Sequence, residues 1–154
     1  MGSSGSKKVK LSGNVPLSVE AGARVMVPRR WRDASPDGLW TVAPWPVAGP
    51  RCLAAFPPEA WEDRLNKVEL AAIDEGDRII ISKAMNHRAV DLTLDKVGRL
   101  CLGQSLANRI KLEGQAVLAG CGDHFEIYTP EEYAAMEKEF DEIPLEQLKK
   151  LGLV

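Results

Sequence analysis

The chain has 154 residues, of which 45% are hydrophobic, which is enough to fill the core of one domain or of two small units that share it. Its formal net charge of -2 excludes a uniformly basic nucleic-acid-binding protein, so any such contact needs a local patch. The sequence has neither a run of about 18 apolar residues nor the apolar segment of a signal peptide, which predicts a cytoplasmic protein without membrane contact.

The chain begins with residues 1–10, which we expect to be flexible and to start with the remnant of an expression tag. A local basic patch follows, formed by Arg24, Arg29, Arg30 and Arg32. Residues 131–142 are strongly acidic, so the two ends of the chain cannot share a partner.

Residues 19–28 and 94–103 resemble each other, and each predicts a strand, a turn and a strand. In both, an apolar residue precedes an acid, an arginine follows the acid four positions later, and an apolar run comes next. The acids and the arginines of the two copies stand 75 positions apart: Glu20 and Asp95, Arg24 and Arg99. The pattern therefore indicates an internal duplication.

The similarity continues beyond the turns, where residues 56–61 match residues 128–133 at an offset of 72 positions. The extra residues of the first copy are most simply placed in 43–50, where prolines are expected to exclude regular structure. The predicted organisation is a first unit at 11–76, a second at 77–140 and a C-terminal tail at 141–154.

Each copy is predicted to continue with a short helix, two strands and a longer amphipathic helix. A short helix is expected from Pro28 through Trp31, and its counterpart over residues 105–110 has Ser105 as a candidate N-cap. The longer helices are expected to begin near Pro58 and Pro130. Their apolar faces are Trp61, Leu65, Val68 and Ala72 in the first, and Tyr133, Met136 and Phe140 in the second.

Residues 77–90, between the copies, fit two structures. Three consecutive isoleucines at 79–81 favour a strand, whereas the spacing of Ile81, Met85 and Ala89 favours a helix, which we prefer. The tail beyond Pro144 is expected to form a last helical turn or to stay loose.

The cysteines and histidines are the candidate residues for an enzyme or a metal site. Cys52, Cys101 and Cys121 show no CxxC spacing and lie in or beside apolar stretches, which predicts reduced, buried residues. Cys121 and His124 form the only closely spaced pair, and His87 and Cys101 are additional candidate ligands far away in the sequence. Zinc sites use three or four ligands at short paired spacings, so a metal site is not indicated.

Acid–base chemistry has no better support. Asp123 and Glu126 have no basic partner at a fixed spacing, and no phosphate-binding glycine loop or nucleophile motif occurs. We therefore expect no catalytic residues, no metal, no cofactor and no small-molecule substrate.

The acid, arginine and strand pattern, followed by a short helix and a strand ending in Tyr-Thr-Pro-Glu-Glu-Tyr at residues 128–133, resembles the MraZ family over roughly residues 15–140. Both copies match in order, and residues 94–100 match more closely. The resemblance implies an α+β fold of tandem duplicated AbrB-type swapped-hairpin β-barrel units with peripheral helices. It also implies a nucleoid-associated homo-oligomer, a closed ring, that binds double-stranded DNA at short G-rich direct repeats upstream of division and cell-wall genes.

The second copy supplies the first set of candidate DNA-binding residues. Asp95 is expected to accept backbone amides across the turn, Gly98 to take the positive φ of a tight turn, and Arg99 to be held beside Asp95. A held arginine can pair with both major-groove acceptors of guanine, while Lys96 would hold a phosphate.

The first copy supplies the equivalent set. By position Arg24 takes the role of the base-reading arginine, with Arg29 or Arg30 on the phosphate backbone. Glu20 and Gly22 are expected to support its turn, since Ala23 stands where the family has glycine. The second copy departs from the family pattern at Val97 and Gly103.

Two alternatives stay open. Each acid–arginine pair could simply bridge its own turn on the surface, which contributes little. The chain could also be an AbrB-type protein-interaction module without DNA binding, in which exposed Trp40 and Trp45 anchor a partner, although these side chains could equally pack in the core or on a neighbouring subunit.

Overall fold

The computed structural model describes residues 9–154, and residues 1–8 of the expected flexible N-terminus lie outside it. The described residues form eight strands and six helices, in the order β1 (Asn14–Ser18), β2 (Arg24–Met26), α1 (Arg29–Arg32), β3 (Leu39–Trp45), β4 (Cys52–Phe56), α2 (Pro58–Leu70), α3 (Glu75–Arg88), β5 (Val90–Thr93), β6 (Arg99–Cys101), α4 (Gly103–Arg109), β7 (Gln115–Gly120), β8 (Phe125–Tyr128), α5 (Pro130–Asp141) and α6 (Leu145–Lys150). The expected α+β class is confirmed. Within residues 9–154, no helix has the length and apolar character needed to span a membrane.

Six strands form one antiparallel sheet in the order β1-β7-β8-β4-β3-β5, and β2 pairs with β6 in a separate two-stranded ribbon. The strand order is symmetric, because each strand of one copy occupies the place that its counterpart occupies when the sheet is counted from the opposite edge. For example, β1 pairs with β7 at one edge and β5 pairs with β3 at the other. The sheet is not closed into a barrel, since among the described residues β1 and β5 remain at its edges.

The predicted hairpins are local only at their turns. Next to the first turn, the main chains of Glu20 and Arg24 pair with each other, and next to the second, Asp95 pairs with Arg99. Beyond these residues the four strands that flank the two turns, β1, β2, β5 and β6, each pair with a strand of the other half of the chain. The turn chemistry was therefore readable from the sequence, whereas the strand partners were not.

The core lies between the sheet, the β2–β6 ribbon and α1. Trp31 and Trp40 pack against Phe125 at ring-centroid distances of 5.4 and 5.0 Å. Val25 and Leu100 close this core from the inner face of the ribbon, and both are fully buried. Trp40 is therefore a core residue, so it cannot be the exposed aromatic side chain that the interaction-module alternative requires.

Strand β3 corrects the prediction that residues 43–50 are irregular. The strand runs through Pro44 to Trp45, and Pro44 is in register with Leu53 of β4. Pairing of β3 with β5 ends at Val42, so Pro44 lies where β3 has a neighbour on one side only. A sheet edge tolerates proline because no ladder bond is needed there.

The helices follow the predicted boundaries closely. α2 and α5 begin at Pro58 and Pro130, α1 follows Pro28, and α3 confirms the helical interpretation of residues 77–90. α4 begins at Gly103, so Ser105 lies inside its first turn and is not the N-cap. The tail forms helix α6.

The predicted apolar faces of the two longer helices are correct near the sheet and wrong at their ends. Trp61, Leu65, Val68, Tyr133 and Met136 pack against the protein interior. Ala72 and Phe140 are exposed, and Ala72 lies beyond the end of α2. Helical periodicity continues in the sequence past the point where the partner surface stops.

Candidate nucleic-acid interface

The β2–β6 ribbon presents both repeated arginines on one face. Arg24 lies opposite Cys101 and Met26 lies opposite Arg99. Side chains alternate along a strand, so these four share the outer face while the residue between them in each strand is buried. Cys101 is exposed here, and only Cys52 among the cysteines is buried, which corrects the expectation that all three are.

The second turn has the geometry expected from its sequence. Asp95 Oδ1 accepts hydrogen bonds from the backbone amides of Val97, at 3.1 Å, and Arg99, at 2.9 Å. Gly98 adopts a φ of 97° and donates its amide to the Asp95 carbonyl at 3.0 Å. The amide and the guanidinium of Arg99 hold the pKa of the Asp95 carboxyl below its usual value.

Arg99 is held by two carboxylates. Its Nε donates to Asp95 Oδ2 at 2.8 Å, and its Nη1 donates to Glu20 Oε1 at 2.9 Å. These two hydrogen bonds raise the pKa of the Arg99 guanidinium, and the side chain remains 31% exposed. The expected pairing with Asp95 is present. The additional contact with Glu20 connects Arg99 to the other half of the chain.

The first turn differs from the second in its side-chain contacts. Glu20 directs its carboxylate to Arg99, and Arg24 Nη1 instead donates to the Ala21 carbonyl at 2.7 Å. Gly22 and Ala23 both have positive φ, 82° and 57°, so Gly22 takes a left-handed conformation as expected and Ala23 does so as well. Glu20 supports Arg24 through its main chain, which pairs with that of Arg24.

Helix α1 places its arginines beside the ribbon. Arg29 is exposed, and Arg30 donates to the Ser12 carbonyl at 3.3 Å, with its guanidinium 5.4 Å from the centre of the Trp31 ring. Arg32 Nε donates to the Val27 carbonyl at 3.0 Å.

Arg32 also lies beside the ribbon, although its place in the sequence does not single it out as a site residue. Its guanidinium covers Gly98, where an added Cβ would lie 2.1 Å from Arg32 Cζ. Lys96 is exposed at the tip of the same turn. The basic cluster in the sequence contained Arg32, but only the fold shows that it reaches the second turn.

The candidate residues for an enzyme or metal site do not all lie together in the structure. Cys121 and His124 lie beside β7 and β8 and are joined by Glu126, whereas His87 lies on α3 and Cys101 on the ribbon. Asp123 has a basic partner after all, Arg64 of α2, 59 positions away in the sequence.

Comparison with known proteins places these features in a family. Residues 85–152 match the family model described as "MraZ protein, putative antitoxin-like". The chain is 30% identical over 118 residues to "Transcriptional regulator MraZ" of Roseiflexus sp. (strain RS-1), which covers 77% of this chain and 80% of that protein. The chain belongs to the MraZ family.

Further MraZ relatives show similar coverage. The protein of Azoarcus sp. (strain BH72) is 36% identical over 122 residues, which is 76% of this chain and 79% of that protein. The protein of Burkholderia mallei (strain SAVP1) is 32% identical over 131 residues, which is 82% and 87% respectively. Both are named transcriptional regulators, and the resemblance inferred from the two copies is confirmed.

Proposed function

We propose that the chain is a sequence-specific DNA-binding transcriptional regulator that contacts double-stranded DNA with the outer face of the β2–β6 ribbon. The observation that carries the proposal is the fixed position of Arg99, which two carboxylates hold while part of its side chain stays exposed. An oriented guanidinium loses little freedom when it pairs with the two major-groove acceptors of guanine. A two-stranded ribbon also has the width to enter that groove.

The neighbouring basic residues complete this surface. Arg24 shares the outer face and would read a second base, while Lys96 and the arginines of α1, Arg29 and Arg30, would contact phosphates. The site that we propose is a short G-rich direct repeat upstream of division and cell-wall genes.

We infer that the fold is a tandem duplication of an AbrB-type swapped-hairpin unit, with its copies at residues 11–76 and 77–140. The sheet order is equivalent from both edges, which a duplication with exchanged strands explains. Two backbone hydrogen bonds repeat in the same way: Val27 donates to Gly98 at 3.0 Å and Leu102 donates to Ala23 at 2.9 Å. Each residue of one bond is the 75-position counterpart of a residue of the other.

We further propose that the chain assembles into a closed head-to-tail ring. Such a ring points every subunit the same way around, so adjacent subunits would read direct repeats. Exposed apolar side chains on α2 and α3 support assembly, including Leu70 at 85% and Ile80 at 62% exposure. A net charge near zero makes binding by one subunit weak, and several ribbons on one duplex would supply avidity.

The test is a fluorescence anisotropy titration with a G-repeat duplex and a scrambled duplex over a range of salt. We expect affinity to fall with salt at a slope of about -0.9 per neutralised phosphate. Arg99→Ala should reduce the preference for the G-repeat duplex by about tenfold or more, and Arg99→Lys should not restore it, because lysine lacks the fork. Lys96→Ala should weaken both duplexes equally.

Lys138→Ala is the matched control for Lys96→Ala, because Lys138 is exposed on α5, away from the ribbon and from the apolar side chains of α2 and α3. Light scattering of the same samples, with one or two tandem sites, reports how many subunits occupy each duplex. Equal binding of both duplexes at every salt concentration, unchanged by Arg99→Ala, would contradict sequence-specific DNA binding and favour the interaction-module alternative.

A further inference from the structure

A second cluster of chemically active side chains lies at the turn between β7 and β8, outside the proposed DNA-binding surface. Cys121 follows β7, His124 precedes β8 and Glu126 lies within it. One ligand atom from each lies within 4.8 Å of the others. The backbone amide of Cys121 donates to the His124 carbonyl at 2.9 Å, so the turn itself brings the first two together.

The imidazole of His124 lies between two carboxylates. Its Nδ1 is 2.8 Å from Asp123 Oδ1, and its Nε2 is 3.0 Å from Glu126 Oε2. A neutral ring that donates from Nδ1 presents a lone pair at Nε2, which would face the lone pairs of the Glu126 carboxylate. Two acceptors at that distance need a cation between them, either a proton or a metal ion.

Each of these groups is oriented by a second partner. Arg64 holds Asp123 with both terminal nitrogens, at 2.6 and 3.0 Å, which fixes the carboxylate that faces His124 Nδ1. The Tyr128 hydroxyl donates to Glu126 Oε1 at 2.6 Å and leaves Oε2 directed at His124. A carboxylate behind the ligating histidine and a hydrogen bond behind the ligating carboxylate are typical of metal sites in proteins.

Packing fixes the ring as well. His124 stacks on Phe56 with ring centroids 4.7 Å apart and an interplanar angle of 18°, and it is 7% exposed. Cys121, in contrast, is exposed and opens the cluster to solvent. His124 and Glu126 are therefore preorganised, and exposed Cys121 gives an ion access to the cluster from solvent.

We propose that Cys121 Sγ, His124 Nε2 and Glu126 Oε2 bind a zinc ion, with a water molecule as the fourth ligand. Sulfur, nitrogen and oxygen donors together suit zinc, whereas magnesium and calcium prefer oxygen alone. In a tetrahedral zinc site neighbouring ligand atoms lie about 3.3 Å apart. His124 Nε2 and Glu126 Oε2 are 3.0 Å apart, and all three ligand atoms lie within 4.8 Å of one another. On binding, the Cys121 thiol and the His124–Glu126 pair each release one proton to solvent, and the metal takes the place of the second proton.

The first experiment uses the purified full chain after treatment with a chelator. Isothermal titration with zinc chloride should show one zinc ion per chain, and cobalt(II) should give the absorption of a tetrahedral site with a thiolate ligand. Cys121→Ser should remove the thiolate-to-cobalt absorption and weaken zinc binding about 100-fold or more. Cys101→Ser is the matched control, since Cys101 lies on the ribbon, and it should leave binding unchanged.

The outer partner provides a second variant. Asp123→Asn should weaken zinc binding by about tenfold to 100-fold, because it removes the carboxylate behind His124 without removing a ligand. Circular dichroism verifies that each variant is folded. Failure of the wild-type chain to take up stoichiometric zinc, or a cobalt spectrum unchanged by Cys121→Ser, would overturn the proposal whatever the variants do to folding.

Discussion

Arg99 contacts two carboxylates that differ in what else they bind. Asp95 also accepts two backbone amides of its own turn, so it shapes the turn as well as holding the guanidinium. Glu20 reaches Arg99 from the other half of the chain and makes only the side-chain contact with it. The two acids have the same charge and a common partner, so replacing each in turn separates the effect of turn geometry on DNA binding from the effect of charge.

This difference predicts that Asp95→Ala mainly changes the discrimination between duplexes, whereas Glu20→Ala mainly changes the affinity for DNA. Asp95→Ala removes the turn's side-chain hydrogen bonds, so it should reduce discrimination between G-repeat and scrambled duplexes by about tenfold. Glu20→Ala removes a negative charge near the proposed phosphate contacts and one of the two contacts of Arg99, so affinity for both duplexes should rise, while discrimination falls less than in Asp95→Ala. Anisotropy titrations of both variants measure this, and a rise in affinity with unchanged discrimination for Asp95→Ala would show that charge alone matters.

At the scale of the element, the second turn depends on a glycine for two reasons. Gly98 has a φ of 97°, which side-chain-bearing residues rarely adopt, and the guanidinium of Arg32 occupies the space where a Cβ would stand. In the first turn the equivalent position holds Ala23, with a φ of 57°. Alanine is therefore accommodated at the left-handed position of the first turn, where it packs in the core, whereas at Gly98 the guanidinium of Arg32 fills the space that a Cβ would need.

We expect Gly98→Ala to lower the free energy of unfolding by about 1 to 2 kcal/mol, the ordinary cost of a left-handed alanine, with the protein still folded. The displacement of Arg32 adds to this cost. Urea denaturation measures the change. Gly114→Ala is the control, because Gly114 has an ordinary backbone conformation and an added Cβ there would meet no atom within 4 Å. Equal midpoints for both variants would contradict this account of the turn.

At the scale of the whole molecule, the two halves of the chain supply each other's strand partners. β1 pairs with β7, β5 pairs with β3, and β4 pairs with β8 at the centre of the sheet. Separation of the halves would leave these strands with unpaired edges and expose buried side chains of the core. Strands that lose both hydrogen-bonded neighbours and apolar cover are not stable alone in water.

A fragment of residues 75–154 is therefore expected to be unfolded as a monomer. Any folded form should contain two copies, since only a second chain can replace the missing strand partners. Circular dichroism and analytical ultracentrifugation across a dilution series measure the dependence on concentration, and addition of residues 9–74 should restore folding. A fragment that stays folded and monomeric on dilution would contradict the exchange of strands.

The sequence by itself determined the features that depend on neighbouring residues. The second turn was predicted because Asp95 and Gly98 have local preferences that the backbone follows, and the starts of α2 and α5 were marked by Pro58 and Pro130. The family was recognised from the order of such local signals in two copies. Each of these depends on residues only a few positions apart, so no knowledge of the fold was required.

The tertiary structure alone decided which distant groups meet. Glu20 lies 79 positions from Arg99, and Arg64 lies 59 positions from Asp123. Pro44 is accommodated because the pairing of β3 with β5 stops at Val42. Trp40 became a core residue and Cys121 a surface one although both occur in apolar stretches. These contacts follow from the pairing of strands from different halves of the chain, and periodicity within one segment contains no information about its partner.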